Sequence, residues 1–196
     1  RYFDSFESQA FGGNRKDYEE KLTALNDNEE IYSNGGIGGI KLYRTPDGGG
    51  TVDVFFTNNN SEKPSDNLVN LVQTAVDPIV NHGDGAGFAP IGHSVTVRGV
   101  SEEVVNFDIK VVLEPEYTVD DIKISVVNVL EDYLKELRKE WSDNENIVVY
   151  KFVSGSEVLK VGGIKNVESI LLNNSGADII LDKNSIPVRG SVNVTA

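Results

Sequence analysis

"VVNFDIKVVLEPEYTVDDIKISVVNVLEDYLKELRKEW" (residues 104–141) changes its hydrophobic period partway along. Phe107, Ile109, Val111 and Leu113 alternate with mostly polar residues, the pattern of a strand with one wet face. "EPEY" (residues 114–117) breaks that alternation, and a helix is predicted over 119–141. Thr118 is its expected cap, with Asp121 in the first turn. Ile122, Val126, Val129, Tyr133 and Leu137 form an apolar seam, and Glu131 and Lys135 stand at i, i+4 as an ion pair. The seam is expected to pack on the strand that carries Phe107 and Val111. A strand followed by one long amphipathic helix, with more short strands to come, sets the class as α+β.

Towards the C-terminus, "NIVVYKF" (residues 146–152) reads as a strand, 156–160 as a short helix, and 167–172, 178–181 and 189–194 as further short strands. Towards the N-terminus, "SVTVRGV" (residues 94–100) is a strand with Val95 and Val97 on one side. It follows the glycine-punctuated loop "NHGDGAGFAPIGH" (residues 81–93). Before that loop, Ser65 caps a helix whose Leu68, Leu71, Val72, Ala75 and Val76 share one face, and Pro78 ends it by biasing Asp77 away from helical angles. Residues 37–44 and 51–58 make a hairpin through "TPDGGG", where Pro46, Asp47 and the glycines favour a turn. Residues 26–36 are rich in Asn, Asp, Glu and Gly and read as an exposed polar loop.

The opening "FGGNRKDYEEKL" (residues 11–22) resembles a phosphate-cradling loop before a helix. Asn14 fits as N-cap and Asp17 as the N3 residue, with Tyr18, Leu22 and Leu25 as the apolar stripe. An anion would meet Asp17, Glu19 and Glu20 in the first turns, and no GK[ST] sequence follows, so Gly12, Gly13 and Asn14 are read as a turn into a helix.

The expected architecture is two small α+β modules in tandem, with mixed or antiparallel sheets each packed against helices. Residues 1–93 hold a helix, a hairpin, a helix and the glycine-rich loop; residues 94–196 hold strands, the long helix 119–141 and the terminal strands. A faint internal echo runs across them: "GGIK" at 38–41 and 162–165, and "PxxxSVxV" from Pro90 and from Pro187. The spacings differ, which leaves two related building plans and coincidence both open.

The 31 acidic and 18 basic residues give a net charge of −13, which disfavours nucleic acid and anionic membrane surfaces as partners. Cysteine is absent, removing disulfides, thiol nucleophiles and thiolate ligands together. No apolar run approaches the roughly 18 residues of a membrane-spanning helix. The chain opens at Arg1 without methionine, and the natural polypeptide is expected to extend further upstream.

The only histidines are His82 and His93; with Asp84 they are the candidate set for a metal-dependent hydrolase. No HxxxH or HxH spacing supports that set, and both side chains read more simply as local loop hydrogen-bonders. His93 and Ser94 are neighbours on an extended chain and point to opposite sides, so they do not make a triad. No catalytic, cofactor-binding or metal-binding residue is therefore expected, and the chain is read as no enzyme.

In order, "AFGGNRKDYEEKL", "GGGTVDVFFTN", "SDNLVNLVQTAVDP", "GFAPIGHSVTV", "YTVDDIKISVVNVLEDYLKELR" and "IPVRGSVNV" resemble the C-terminal two-thirds of the baseplate J-like family. Members of that family are wedge proteins of contractile phage tails, found also in defective prophages and phage-tail-like bacteriocins. The resemblance implies a structural subunit, without cofactor, that packs with copies of itself and with other wedge proteins. Its expected place is a sixfold plate around the tail tube, assembled in the bacterial host cytoplasm and rearranging when the sheath contracts. Two departures stand out: residues 26–36 form a longer polar link than the family's usual one, and the family's N-terminal portion is missing. A tail-associated receptor or carbohydrate-binding module is the alternative reading, from the exposed Asn- and Gly-rich loops.

Overall fold

The structure is a computed structural model, and it describes residues 12–45 and 49–196. The turn expected at Pro46 and Asp47 lies outside the described residues. The chain divides into two compact units between Gly99 and Val100. The strand Ser94–Gly99, expected to open the second module, pairs inside the first, and that pairing is the physical reason for the later division.

In the first unit, helix α1 (Arg15–Ala24) starts with a complete capping box between Asn14 and Asp17, and buries Tyr18 and Leu22. Residues 26–36 are not a plain exposed loop. A 3-10 turn (Leu25–Asp27) leads into a short helix, α2 (Glu29–Ser33), which Asn28 caps and whose Ile31 is buried. Asn26 ties the segment down, donating to the Ile37 carbonyl at 2.9 Å and accepting from the Ile37 N–H at 2.7 Å. Asparagines that read as loop are caps and braces here.

Strands β1 (Ile40–Arg44) and β2 (Thr51–Phe56) are antiparallel, with Ile40 opposite Phe56 and Arg44 opposite Val52. Helix α3 (Asp66–Val76), capped by the Ser65 hydroxyl, carries the chain across to β3 (Ser94–Gly99), which runs parallel to β2. Leu68, Val72 and Val76 of α3 join Tyr18, Leu22, Val54, Phe56 and Val95 in one core.

The outer edge of β3 is closed by side chains. Gln73 donates to the Val95 carbonyl (2.9 Å) and accepts from the Val97 N–H (2.7 Å). The buried Asp77 carboxylate accepts from the N–H groups of Val95 (2.8 Å) and Gly83 (2.9 Å). His82 Nε2 lies 3.0 Å from the Val95 carbonyl and 3.1 Å from Asp77 Oδ2. Open sheet edges recruit other strands, and an edge strand whose backbone groups are taken this way does not.

The second unit is built on β4 (Ser101–Leu113). Its Val105, Phe107, Ile109 and Val111 point inward as the alternation requires. Helix α4 (Val119–Lys139) has a capping box between Thr118 and Asp121. A two-residue strand β5 (Val148–Val149), helix α5 (Lys151–Leu159), β6 (Ile164–Leu172), β7 (Ile179–Ile180) and β8 (Ser185–Thr195) complete it. The sheet order is β6-β4-β8, with β6 antiparallel and β8 parallel to β4, while β5 and β7 pair separately.

Four expectations are corrected in this unit. The buried stripe of α4 is Ile122, Val126, Leu130, Leu134 and Arg138; Val129, Tyr133 and Leu137 are only half-buried beside it. Helix α4 packs along β8 and against α5 rather than centring on β4, so its buried line turns away from the simple seam. Residues 146–152 are mostly not strand. Tyr133 Oη accepts the Tyr150 N–H (3.1 Å) and the Asp178 carboxylate accepts the Lys151 N–H (2.8 Å), and α5 begins at once.

Glu131 pairs not with Lys135 but with Arg138 (2.8 Å) and Arg189 (3.1 Å), and the buried Arg138 also donates to the Pro187 carbonyl at 3.0 Å. Burial works to raise the Glu131 carboxyl, but the hydrogen bonds and charges of Arg138 and Arg189 outweigh it and hold the group below its ordinary value. A depressed folded value contributes stability above the unfolded carboxyl's value of about 4.3, and that contribution is lost as pH falls through the folded value. Glu131→Gln should therefore lower the melting temperature at neutral pH by a margin that shrinks below about pH 4. Melting curves recorded across that range check it; a margin independent of pH would assign the effect to packing.

The echo falls on matching places. "GGIK" leads into β1 and β6, the antiparallel neighbours of the central strands β2 and β4. "SVxV" lies in β3 and β8, the parallel neighbours, against which α3 and α4 pack. The two sheets share a plan, and the chain threads the strands in a different order.

Candidate functional site

The turn before α1 is filled by its own helix. Asp17 Oδ2 accepts from Gly12 N–H at 2.7 Å, Asn14 Nδ2 at 2.9 Å and Asn14 N–H at 3.4 Å, while Asn14 Oδ1 accepts from Asp17 N–H at 3.1 Å. The carboxylate occupies the place an anion would take. Gly13 has φ +73°, and a Cβ there would sit 2.9 Å from His93 Cε1. Glycine is thus required both by backbone angle and by the ring that packs on it.

The three residues considered for a metal are not brought together. His82 is engaged with Asp77 and the Val95 carbonyl at the β3 edge. His93 Nδ1 is 2.7 Å from the Tyr18 hydroxyl, the two rings stacked with centroids 6.0 Å apart. Asp84 is exposed, its N–H bonded to the Asn81 carbonyl. Among the described residues no group of three or more His, Cys, Asp or Glu is disposed to hold a metal ion. No helix among them is long and apolar enough to cross a membrane.

Each unit instead exposes large apolar side chains on anchored backbone. In the first unit, Ile79 (75% exposed), Val80 (94%) and Ile91 (83%) belong to the segment between α3 and β3. That segment is pinned by Asp77 and His82, and by Gly92 N–H bonded to the Gly83 carbonyl at 2.9 Å. In the second unit, Phe152 (81% exposed) and Leu159 stand on α5 at the mouth of a groove of about 380 Å³ floored by Ile170 and neighbouring β6 residues. Helix α5 approaches β6 at Gly155, where a Cβ would come within 3.7 Å of Ile170.

Isolated exposed apolar residues are ordinary, and several on one ordered segment are less so. Periodicity could not find them, because it identifies residues that face inward. The signal present was apolar residues placed off-period: Ile79 and Val80 directly after the helix-ending Pro78, and Ile91 between Pro90 and Gly92.

The model of the Baseplate J-like central domain matches residues 10–99, and that of the Baseplate J-like protein C-terminal domain matches residues 105–195. The chain is 27% identical over 194 residues to the protein YqbT of Bacillus subtilis (strain 168), and 26% identical over 194 residues to the phage-like element PBSX protein XkdT of the same organism. In each case 99% of this chain is covered and 51% of the relative, so the chain spans about half the length of these relatives. Among solved structures, a chain of the baseplate of the anti-feeding prophage (AFP), 6-fold symmetrised, is similar in fold. Its TM-score is 0.55 at 8% identity, with 88% of this chain and 37% of that chain covered.

Proposed function

The chain belongs to the Baseplate J-like family, and from that premise we propose that it is a structural part of the baseplate wedge in a contractile tail or tail-like particle. It acts through contacts with neighbouring subunits, copies of itself included, around a sixfold axis. It is built into the plate in the host cytoplasm and shifts its contacts when the sheath contracts. Two matched domain models that between them span nearly the whole chain carry this reading. The sixfold baseplate that contains the AFP chain of similar fold agrees with it.

The physical counterpart is the pair of apolar surfaces. Within units whose cores are closed, Val80 and Phe152 lie largely in water, Phe152 with the Lys151 ammonium 4.9 Å from its ring centroid. Residues of that kind stabilise a subunit contact when they enter a partner's pocket, by about 2 kcal/mol or more at the best positions.

The test is made in the full-length protein within its particle. Phe152→Asp and Val80→Asp should each leave the isolated protein folded, since both side chains are exposed, and reduce assembled baseplates roughly tenfold or more, as a loss of about 1.4 kcal/mol or more at a contact implies. Baseplates counted by electron microscopy at unchanged expression provide the measurement. Normal numbers in both variants would count against these surfaces as contacts.

A further inference from the structure

We infer that a pocket in the first unit, between the start of α1 and the β1–β2 hairpin, receives a carboxylate side chain from an acidic segment of a neighbouring subunit. This deepens the baseplate reading and rests on it for the partner. The pocket, of about 260 Å³, is lined by Arg15, Tyr18, Tyr43, Arg44 and His93, with Leu42 and Val52 as apolar wall.

Its charged groups point to an anion. Acidic residues outnumber basic ones 31 to 18 in this chain, yet among the described residues neither Arg15 nor Arg44 has a carboxylate or hydrogen-bonding partner for its side chain. Guanidinium is the side chain best matched to a carboxylate. Asp17 is engaged in the cap of α1 and Asp77 at the edge of β3.

His93 adds a third polar group. The Tyr18 phenol is pushed up to about 12 by burial and by the charge of Asp77, so it keeps its proton, and its hydroxyl lies 2.7 Å from His93 Nδ1. Where the phenol is the donor of that pair, the neutral imidazole carries its proton on Nε2, beside Gly13. Two guanidiniums and an imidazole line the pocket, and among the described residues no side-chain carboxylate does.

Size separates the candidate ligands. Sites for small organic molecules commonly run from about 300 to 1,000 Å³. At 260 Å³ this one fits a single side chain, with Leu42, Tyr43 and Val52 against its methylenes and the guanidiniums at its head. A copy of this chain, at a net charge of −13, has many such side chains to offer.

The experiment uses the full-length protein in solution and a short labelled peptide rich in glutamate, read by fluorescence anisotropy. A glutamine peptide of the same length, acetate and inorganic phosphate are the comparison probes. The glutamate peptide should bind and the glutamine peptide should not. Arg15→Gln and Arg44→Gln should each weaken binding about tenfold or more, as loss of a charge-assisted contact does. Both arginines are exposed, so the melting temperature should hold, and Lys16→Gln, beside the pocket but paired with Glu20, should bind as the unaltered protein does.

Equal binding of both peptides, or unchanged binding in both arginine variants, would overturn the assignment. So would acetate or phosphate binding as tightly as the peptide, which would make this a small-anion site. The readout is on free protein and the baseplate reading is tested on particles, so either can fail while the other stands.

Discussion

Replacing Val126 by Asp is expected to abolish folding of the unit that spans residues 100–196. Val126 is fully buried on α4, in the stripe that packs along β8. The substitution forfeits the burial of an aliphatic side chain, about 1.5 to 3 kcal/mol. It also places a carboxylate in an apolar interior, at a further cost of several kcal/mol or, on neutralisation, of an orphaned carboxyl. The sum rivals the total stability of a small unit, about 5 to 15 kcal/mol.

The lone tryptophan makes the outcome easy to read. Trp141 is buried at the C-terminal end of α4, and its indole N–H is 3.2 Å from the Lys183 carbonyl, so its fluorescence reports on this unit. Val126→Asp should give the emission of a solvated indole and no cooperative melting. Val129→Asp, at a half-buried position, should lower the melting temperature and leave a folded unit. Native emission with an unchanged melting temperature in Val126→Asp would mean that the stripe is misplaced.

The second large effect is expected at Asp77. Asp77→Ala removes the acceptor for the N–H groups of Val95 and Gly83 and leaves His82 without its carboxylate partner. An orphaned buried donor costs about 1 to 3 kcal/mol, so the change should destabilise the first unit by roughly 2 to 5 kcal/mol. Amide exchange at Val95 and Gly83 should accelerate with it. Asp84→Ala, on the same segment but exposed, should stay within about 0.5 kcal/mol of the unaltered protein. If the two variants melted alike, the buried carboxylate would not be what closes the edge of β3.

Much of the fold could be read where one local rule acts alone. The alternation of Phe107, Ile109 and Val111 and the caps at Asn14, Ser65 and Thr118 all formed, because strand period and N-capping depend on residues a few positions apart. The α3 face was legible for the same reason.

What escaped depends on distant partners. Helix α2 lay hidden in a polar stretch because Asn26 and Asn28 brace and cap it, and only Ile31 is buried. The rotation of the α4 stripe to Leu130 and Leu134 follows from β8 and α5. Tyr150 to Phe152 carry strand-forming residues, and contacts with Tyr133 and Asp178 turn them into a helix start. The exposed residues at 79, 80, 91 and 152 had no periodic signature, and the pocket of Arg15, Arg44 and His93 assembles from segments far apart in sequence.

Under the proposed function, the outward-facing apolar residues of this chain meet other subunits. A cryo-electron microscopy map of the intact particle containing the full-length protein tests it most directly. It should show this chain in the baseplate with Val80 and Phe152 each enclosed by a neighbouring chain. A complete baseplate without density for this chain, or one in which both side chains face solvent, would contradict the account.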